Sequence, residues 1–161
     1  MSVVIENSTG EDLAECLKLI KLSVAELAAS CYSREQIDAW LDHYPECAEF
    51  AKWGRHRTTF VARDENRLVG FGQLDLGRRE IEGVHVAPDK ARSGIGRRLV
   101  TEMENVVLRA GLKDIQVQAS LNAEGFYAAC GYALVERISF RCRNGVSLNA
   151  LLMQKSLAHA G

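Results

Sequence analysis

Arg92-Ser93-Gly94-Ile95-Gly96-Arg97-Arg98 brings together the residue types that bind a small anion. Two glycines and a serine leave backbone N–H groups accessible, and three arginines surround them. The stretch before it, residues 80–87, reads as a strand, and a helix begins near Gly94. The exposed amides therefore sit at a helix start, where the positive end of the helix dipole adds to them. Free amides, a helix dipole and clustered guanidiniums together describe a site for a phosphate-bearing ligand. Basic residues cluster over residues 78–98, which fits one anionic ligand better than a polymer. The formal net charge of −1 over 161 residues argues against general nucleic-acid binding.

The elements that must position this loop follow from periodicity. Residues 2–6 are a short β-branched run and a first strand. Thr9 and Asp12 resemble a capping box. Behind them Leu13, Leu17, Ile20, Val24 and Leu27 recur at helical spacing, giving an amphipathic helix to about Ser30. Ser33 and Gln36 open a second helix that carries Ile37, Trp40 and Leu41 and stops at Pro45, and a helical turn follows over residues 47–53. Residues 58–63, 67–74 and 80–87 read as an antiparallel meander. After Gly94 the stripe Leu99, Val100, Met103, Val106 and Val107 marks a helix, with Gly111 placed to end it. Residues 114–120 form a strand and 122–130 a short helix ending at Gly131. Strands over 133–141 and 146–155 are joined by an Asn144-Gly145 hairpin turn.

The order is β-α-α-β-β-β-α-β-α-β-β, without internal repeat, low-complexity tract or linker. It predicts a single domain spanning residues 1–161, of α+β class. Its three layers are a central mixed, mostly antiparallel sheet with helices on both faces. The unit from Glu80 to Ser120 is expected to be the parallel portion.

Three phosphate motifs compete for Gly94-Ile95-Gly96. A P-loop needs Gly-Lys-Ser/Thr, which is missing. A dinucleotide fingerprint needs a small residue where Leu99 stands and an acid where Ala119 and Ser120 stand. The third motif is Arg/Gln-x-x-Gly-x-Gly/Ala, and residues 91–96, Ala91-Arg92-Ser93-Gly94-Ile95-Gly96, resemble it, with Ala91 departing at the first position. That motif is the acetyl-CoA loop of the GNAT N-acetyltransferases. The preceding Val84-His85-Val86-Ala87-Pro88-Asp89 resembles the family's strand end. Residues 121–132, which include Asn122, Phe126, Tyr127, Gly131 and Tyr132, resemble a second motif at the expected distance. The order of elements is similar to the GNAT acyl-CoA N-acyltransferase fold along the whole chain. Tyr32 to Trp40 further resembles a bacterial, YafP-like subgroup.

The resemblance implies an N-acetyltransferase using acetyl-CoA and an amine acceptor, a small molecule or an exposed peptide amine. The pantetheine arm would add to strand 80–87 through the main chain of Val84, His85 and Val86, a form of β-augmentation. A bulge would expose those groups, and Gly83 is a suitable place. The pyrophosphate would lie on the amides of Arg92, Ser93, Gly94, Ile95, Gly96 and Arg97, with Arg92 or Arg97 supplying charge in place of Ala91. By the same resemblance Tyr127 is the general acid, Glu82 the favoured base with Glu80 close behind, and Asn122 holds the cofactor or the following helix. Asn122 as a plain N-cap, and Tyr127 as a core tyrosine, are the bland readings. His85 has a titration range suited to proton transfer. Tyr32, Trp40, Tyr44 and Trp53 line the acceptor site or pack as core or lid.

Five scattered cysteines, Cys16, Cys31, Cys47, Cys130 and Cys142, show neither zinc spacing nor a disulfide framework. Buried reduced thiols in a cytoplasmic protein are the expectation, with no metal. Neither a signal peptide nor a membrane-length apolar run is visible. Relatives of this kind are often homodimers, though no interface is legible. Two alternatives remain: a silent acyl-CoA sensor or regulatory protein that has lost turnover, and a nucleotide-dependent oxidoreductase.

Overall fold

Strand alternation and helical periodicity set nearly every element. The computed structural model describes the chain from Ser2 to Leu157 except Thr9, Pro45, Glu46 and Arg143. For residues 47–49 and Trp53 it describes the backbone only. The first half comprises β1 (Val3–Asn7), α1 (Leu13–Leu27), α2 (Arg34–His43), α3 (Cys47–Gly54), β2 (Thr58–Asp64) and β3 (Arg67–Asp75). The second half comprises β4 (Glu80–Val86), α4 (Ile95–Arg109), β5 (Asp114–Ser120), α5 (Glu124–Ala129), β6 (Ala133–Arg141) and β7 (Ser147–Ser156). Short 3₁₀ turns at Pro88–Lys90 and Leu121–Ala123 precede α4 and α5.

The strands form one seven-stranded sheet in the order β1-β2-β3-β4-β5-β7-β6. Every neighbouring pair is antiparallel except β4 and β5, as the unit from Glu80 to Ser120 predicts. Helices cover both faces, and β3 shows why. Phe71 turns to one face and meets Phe50 of α3 at 6.0 Å between ring centroids. Gly70 points to the other, where an added Cβ would lie 3.0 Å from Ile95 and 3.1 Å from Leu99 of α4. The missing side chain is what lets α4 lie close on the sheet. Leu99, Val100, Met103 and Val107 are buried there; Val106, on the same stripe, is half-buried.

Helix ends separate the local signals that act from those that do not. Ser33 caps α2 as its sequence predicts: its hydroxyl accepts from the Gln36 N–H at 3.1 Å, and the Gln36 side chain accepts from the Ser33 N–H at 2.9 Å. The capping box expected at α1 falls differently. Asp12 stands at the N-cap itself without a side-chain capping bond, because its carboxylate is taken by Arg63 of β2. Thr9 and Pro45 lie outside the described residues. Helix α1 ends at Leu27, short of Ser30. Gly111, with φ of 79°, follows the last turn of α4 as expected. The β6–β7 connection is longer than a two-residue hairpin. Its ends close through the Cys142 N–H on the Val146 carbonyl and the Gly145 N–H on the Cys142 carbonyl, with Gly145 left-handed at φ 87°.

The contact between α4 and α5 joins the two sequence motifs. A Cβ on Gly96 would lie 2.9 Å and 3.0 Å from ring atoms of Phe126. Gly96 is a glycine because of a neighbouring ring, whatever else its amide does. Gly96→Ala should therefore destabilise the protein, since overpacking of about 1–3 kcal/mol exceeds the helical gain of about 1 kcal/mol. Urea denaturation checks this, and Phe126→Leu in the same chain should restore part of the loss.

Candidate functional site

The site is built on a register change in β4. Between β3 and β4 the pairing runs Gln73↔Gly83 and then Leu74↔Ile81, leaving Glu82 as the extra, bulged residue. Sequence placed this bulge at Gly83, its immediate neighbour. The consequence lies in the backbone. Before the bulge, the Arg79 carbonyl accepts from the Gln116 N–H of β5 at 2.9 Å, so the odd-numbered groups face β5. Beyond it, the Ala87 N–H donates to the Val69 carbonyl of β3 at 2.8 Å, so His85 and Gly83 now face β3. Val84 and Val86 are thereby turned toward β5. Yet the pairing with β5 has already ended at Ile81↔Val117. Their N–H and C=O groups open into a gap between two strands of one sheet, where main-chain polar groups are normally paired.

Around this gap lies a cavity of about 390 Å³. Glu80, Glu82, Val84 and His85 of β4 line one side, Gln118 and Ser120 of β5 and Tyr127 of α5 another. Tyr32, Trp40 and Tyr44 close it from the α2 side, together with Phe140 and Asn149 of the last hairpin. Trp53, expected here, has no described side chain. Tyr32 ties together the end of the β5–β7 pair, where the cavity opens: its hydroxyl donates to the Asn149 carbonyl at 2.6 Å and accepts from the Leu121 N–H at 2.9 Å. It is buried and lines the cavity at once, so the core and site readings of this residue are both true.

Tyr127 is likewise buried, 4% exposed, with Phe126 and Tyr132 edge-on at 4.9 and 5.7 Å. Its hydroxyl makes no hydrogen bond among the described residues and faces the cavity. Burial pushes the phenol above its usual range, so it stays protonated. The end of α5 is fixed by charge. Lys155 donates to the Cys130 carbonyl at 2.8 Å and to Glu104, which also accepts from Tyr132 at 2.8 Å. Asn122 is exposed, caps nothing and does not line the cavity; α5 starts after Ala123 without a side-chain cap.

The two strand carboxylates differ. Glu80 is buried, with Arg78 at 3.7 Å. Burial raises the Glu82 carboxyl, and Arg57, 3.6 Å away, partly pulls it back down. Burial pushes His85 down from 6.5 to about 4, so its imidazole is neutral near neutral pH.

At the other end of β4, Arg92 and Gly94 are left-handed at φ 63° and 88°. Gly94 is the N-cap of α4, with no capping side chain. The first helical bond runs from the Arg98 N–H to the Gly94 carbonyl, so the amides of Ile95, Gly96 and Arg97 have no carbonyl within the helix. Ser93 turns its hydroxyl onto the Lys90 carbonyl, and Arg97 donates to the Ala129 carbonyl at 2.8 Å. A groove of about 540 Å³ beside the loop is lined by Gly94, Arg97, Arg98 and β1. The basic cluster expected over 78–98 divides: Arg78 and Arg79 sit at the far end of β4, on Glu80 and Asp114, Lys90 pairs with Asp64, and Arg92, Arg97 and Arg98 lie in or just after the loop. Sequence did not single out Arg57, Gln73 or His43. They stand in ordinary polar stretches and come to the site only through the fold.

The family model described as an acetyltransferase (GNAT) domain matches residues 28–157. The chain belongs to the GNAT acetyltransferases. A GCN5-related N-acetyltransferase from Rhodopseudomonas palustris is 30% identical and superposes with a TM-score of 0.92, covering 98% of this chain and 97% of that one. The PaiA N-acetyltransferase of Thermoplasma acidophilum, in complex with coenzyme A, has the same fold at 20% identity and a TM-score of 0.78, covering 97% and 99%. A phosphinothricin acetyltransferase from Sinorhizobium meliloti, in complex with acetyl-CoA, does so at 18% and 0.74, covering 98% and 89%. Among the described residues, no His, Cys, Asp and Glu group has metal-holding geometry, and no helix is long and apolar enough to cross a membrane. Cys16, Cys130 and Cys142 are buried free thiols, whereas Cys31 is exposed, against expectation; the Cys47 side chain lies outside the described residues.

His85 also ties this site to stability. An unfolded chain takes up its proton below about pH 6.5, the folded one only below about 4, so acidification across that window favours unfolding. His85→Gln should flatten the fall in urea midpoint between pH 7 and pH 4.5 relative to wild type.

Proposed function

We propose that this GNAT protein is an N-acetyltransferase that moves an acetyl group from acetyl-CoA to a primary amine by direct attack. The observation that carries the reading is the pair of main-chain groups at Val84 and Val86, turned by the Glu82 bulge into a gap with no strand to pair them. A pantetheine arm, with its own amide groups, is of the right chemistry to complete that ladder. His85, whose main chain is engaged with Phe71, leaves the set of backbone partners. The uncapped amides of Ile95, Gly96 and Arg97, with Arg92 and Arg98 beside them, suit the pyrophosphate. The 32–40 stretch supplies Tyr32 and Trp40 to the cavity wall, and on it we place the chain with the YafP-like subgroup.

Acetyl-CoA supplies a thioester whose carbonyl carbon is open to attack. Glu82 takes the proton that the amine must lose, directly or through a water, since an alkyl ammonium holds it to about pH 10.4 and has no lone pair. A carboxyl raised by burial is better matched to that task than an exposed one. The Val84 N–H donates to the thioester oxygen as negative charge gathers there. As the new N–C bond forms the C–S bond breaks, and Tyr127, kept protonated by burial, donates to the departing sulfur. The second proton, shed by nitrogen as the amide forms, restores Tyr127, Glu82 returns the first to solvent, and the products are an amide and the free thiol of coenzyme A. Glu80, buried and paired with Arg78, supports the charge balance of Glu82 from one turn of strand away.

Calorimetry should show acetyl-CoA binding, and its absence ends the proposal. With an amine acceptor, Tyr127→Phe should lower kcat on the order of 100-fold with acetyl-CoA binding retained. The acid limb of the pH profile should lie above the usual carboxylate range and vanish in Glu82→Gln. A protein that binds acetyl-CoA but releases no thiol with any amine would be the sensor instead.

A further inference from the structure

Arg57 is held more elaborately than an ion pair requires. Its Nη1 donates to the Gln73 side-chain oxygen at 2.9 Å, and the Gln73 amide nitrogen donates to the Thr59 hydroxyl at 3.2 Å. Gln73 is only 4% exposed. A buried amide with both ends engaged thus fixes the guanidinium fork and turns Nη2 toward Glu82. The Nη2–Glu82 distance, 3.6 Å, is longer than the 2.7–2.9 Å (roughly) of a charge-assisted hydrogen bond. The two charges form an ion pair whose geometry is set by Gln73.

They do so in a second, smaller cavity of about 200 Å³, whose apolar walls are Ile20, Phe50 and Phe71. It shares His43, Tyr44, Glu82, Gly83 and His85 with the larger cavity, so the two meet across the bulge. The charge balance of the combined space is specific. Among the described residues its carboxylates are Glu80 and Glu82, and each stands opposite an arginine, Arg78 and Arg57. A site for a polyamine or a basic peptide would leave its carboxylates for the ligand to neutralise. This one matches a ligand bearing both charges.

On the acetyl-transfer reading above, we propose that the acceptor is a free amino acid or a similarly compact zwitterion. Its amine lies at Glu82, its carboxylate at Arg57, and its side chain against Ile20, Phe50 and Phe71. A planar guanidinium already oriented by Gln73 is suited to a carboxylate, and 200 Å³ favours a compact ligand over the 300–1,000 Å³ or so of drug-sized pockets. The chemistry is unchanged: the ammonium loses one proton to Glu82, the neutral nitrogen bonds to the acetyl carbon as the C–S bond breaks, Tyr127 protonates the departing thiolate, and the second proton, shed as the amide forms, restores Tyr127. Arg57 takes no part in proton transfer; it sets which amine is held.

The test is thiol release from acetyl-CoA by the full-length protein with the twenty amino acids, each beside its carboxamide and its decarboxylated amine, and with a linear polyamine. We expect kcat/KM at least tenfold higher for the best amino acid than for its carboxamide. In Arg57→Gln that ratio should fall toward one, through a raised KM for the carboxylate form alone. The acid limb of its pH profile should also move up, since Arg57 no longer lowers Glu82. A wild-type ratio at or below one overturns the proposal, as does a polyamine as best acceptor, and neither result depends on the variant folding. An Arg57→Gln protein that loses activity equally on both forms marks a merely structural pair and overturns it too. Acetyl-CoA binding without thiol release on any acceptor refutes acetyl transfer itself, a different and distinguishable failure.

Discussion

One extra residue in one strand governs this molecule. Antiparallel pairing lets a strand alternate its hydrogen-bonding groups between two neighbours, and the bulged Glu82 resets that alternation within β4. Before it, β4 serves β5 with one parity; after it, the same service would fall to Val84 and Val86. By then the pairing of β4 with β5 has ended, while β5 keeps β7 along its other edge. The cavity, the exposed main chain and the position of Glu82 at the meeting of two pockets all follow from that single insertion. Tyr32 fixes the far wall of the gap, since its hydroxyl holds both a β7 carbonyl and the amide that follows β5, just beyond the last pair of those two strands.

The parts of the fold legible in the sequence are those fixed by local physics. Alternation gave β2, β3 and β4, helical spacing gave α1 and α4, and Ser33 with Gln36 marked the start of α2. Where a residue had a distant competitor, local reading failed. Asp12 looks like part of a capping box until Arg63, from β2, claims its carboxylate. Arg78 and Arg79 look like partners of the loop arginines until β4, fully extended, carries them to the opposite end. Asn122 has the type for a cap, and from its place on the surface it makes no capping bond to α5.

The site divides in the same way. Gly94 and its neighbours were recognisable because a left-handed glycine at an uncapped helix start is a local device. Tyr127 was recognisable by motif, but its burial, its edge-on rings and the Lys155–Glu104–Tyr132 anchor behind it come from three separate elements. Arg57 was invisible. Nothing in Arg55-His56-Arg57 distinguishes the residue that Gln73 and Thr59 will orient, because that distinction is made across β2 and β3. Gly96 was visible for another reason: its side is filled by Phe126, so the two motifs are one packed unit and neither glycine nor ring can change size alone.

The pairing of Glu80 with Arg78 and of Glu82 with Arg57 also shapes how the molecule meets small solutes. Opposed charges a few ångströms apart form dipoles, whose potential fades faster with distance than that of a lone ion and is further damped beyond a Debye length of about 8 Å. These two pairs therefore add little net field of their own in the solvent, and steering of the compact acceptor by them should depend only weakly on ionic strength. Discrimination begins only at contact, where each charge is met by a partner held in place by the fold.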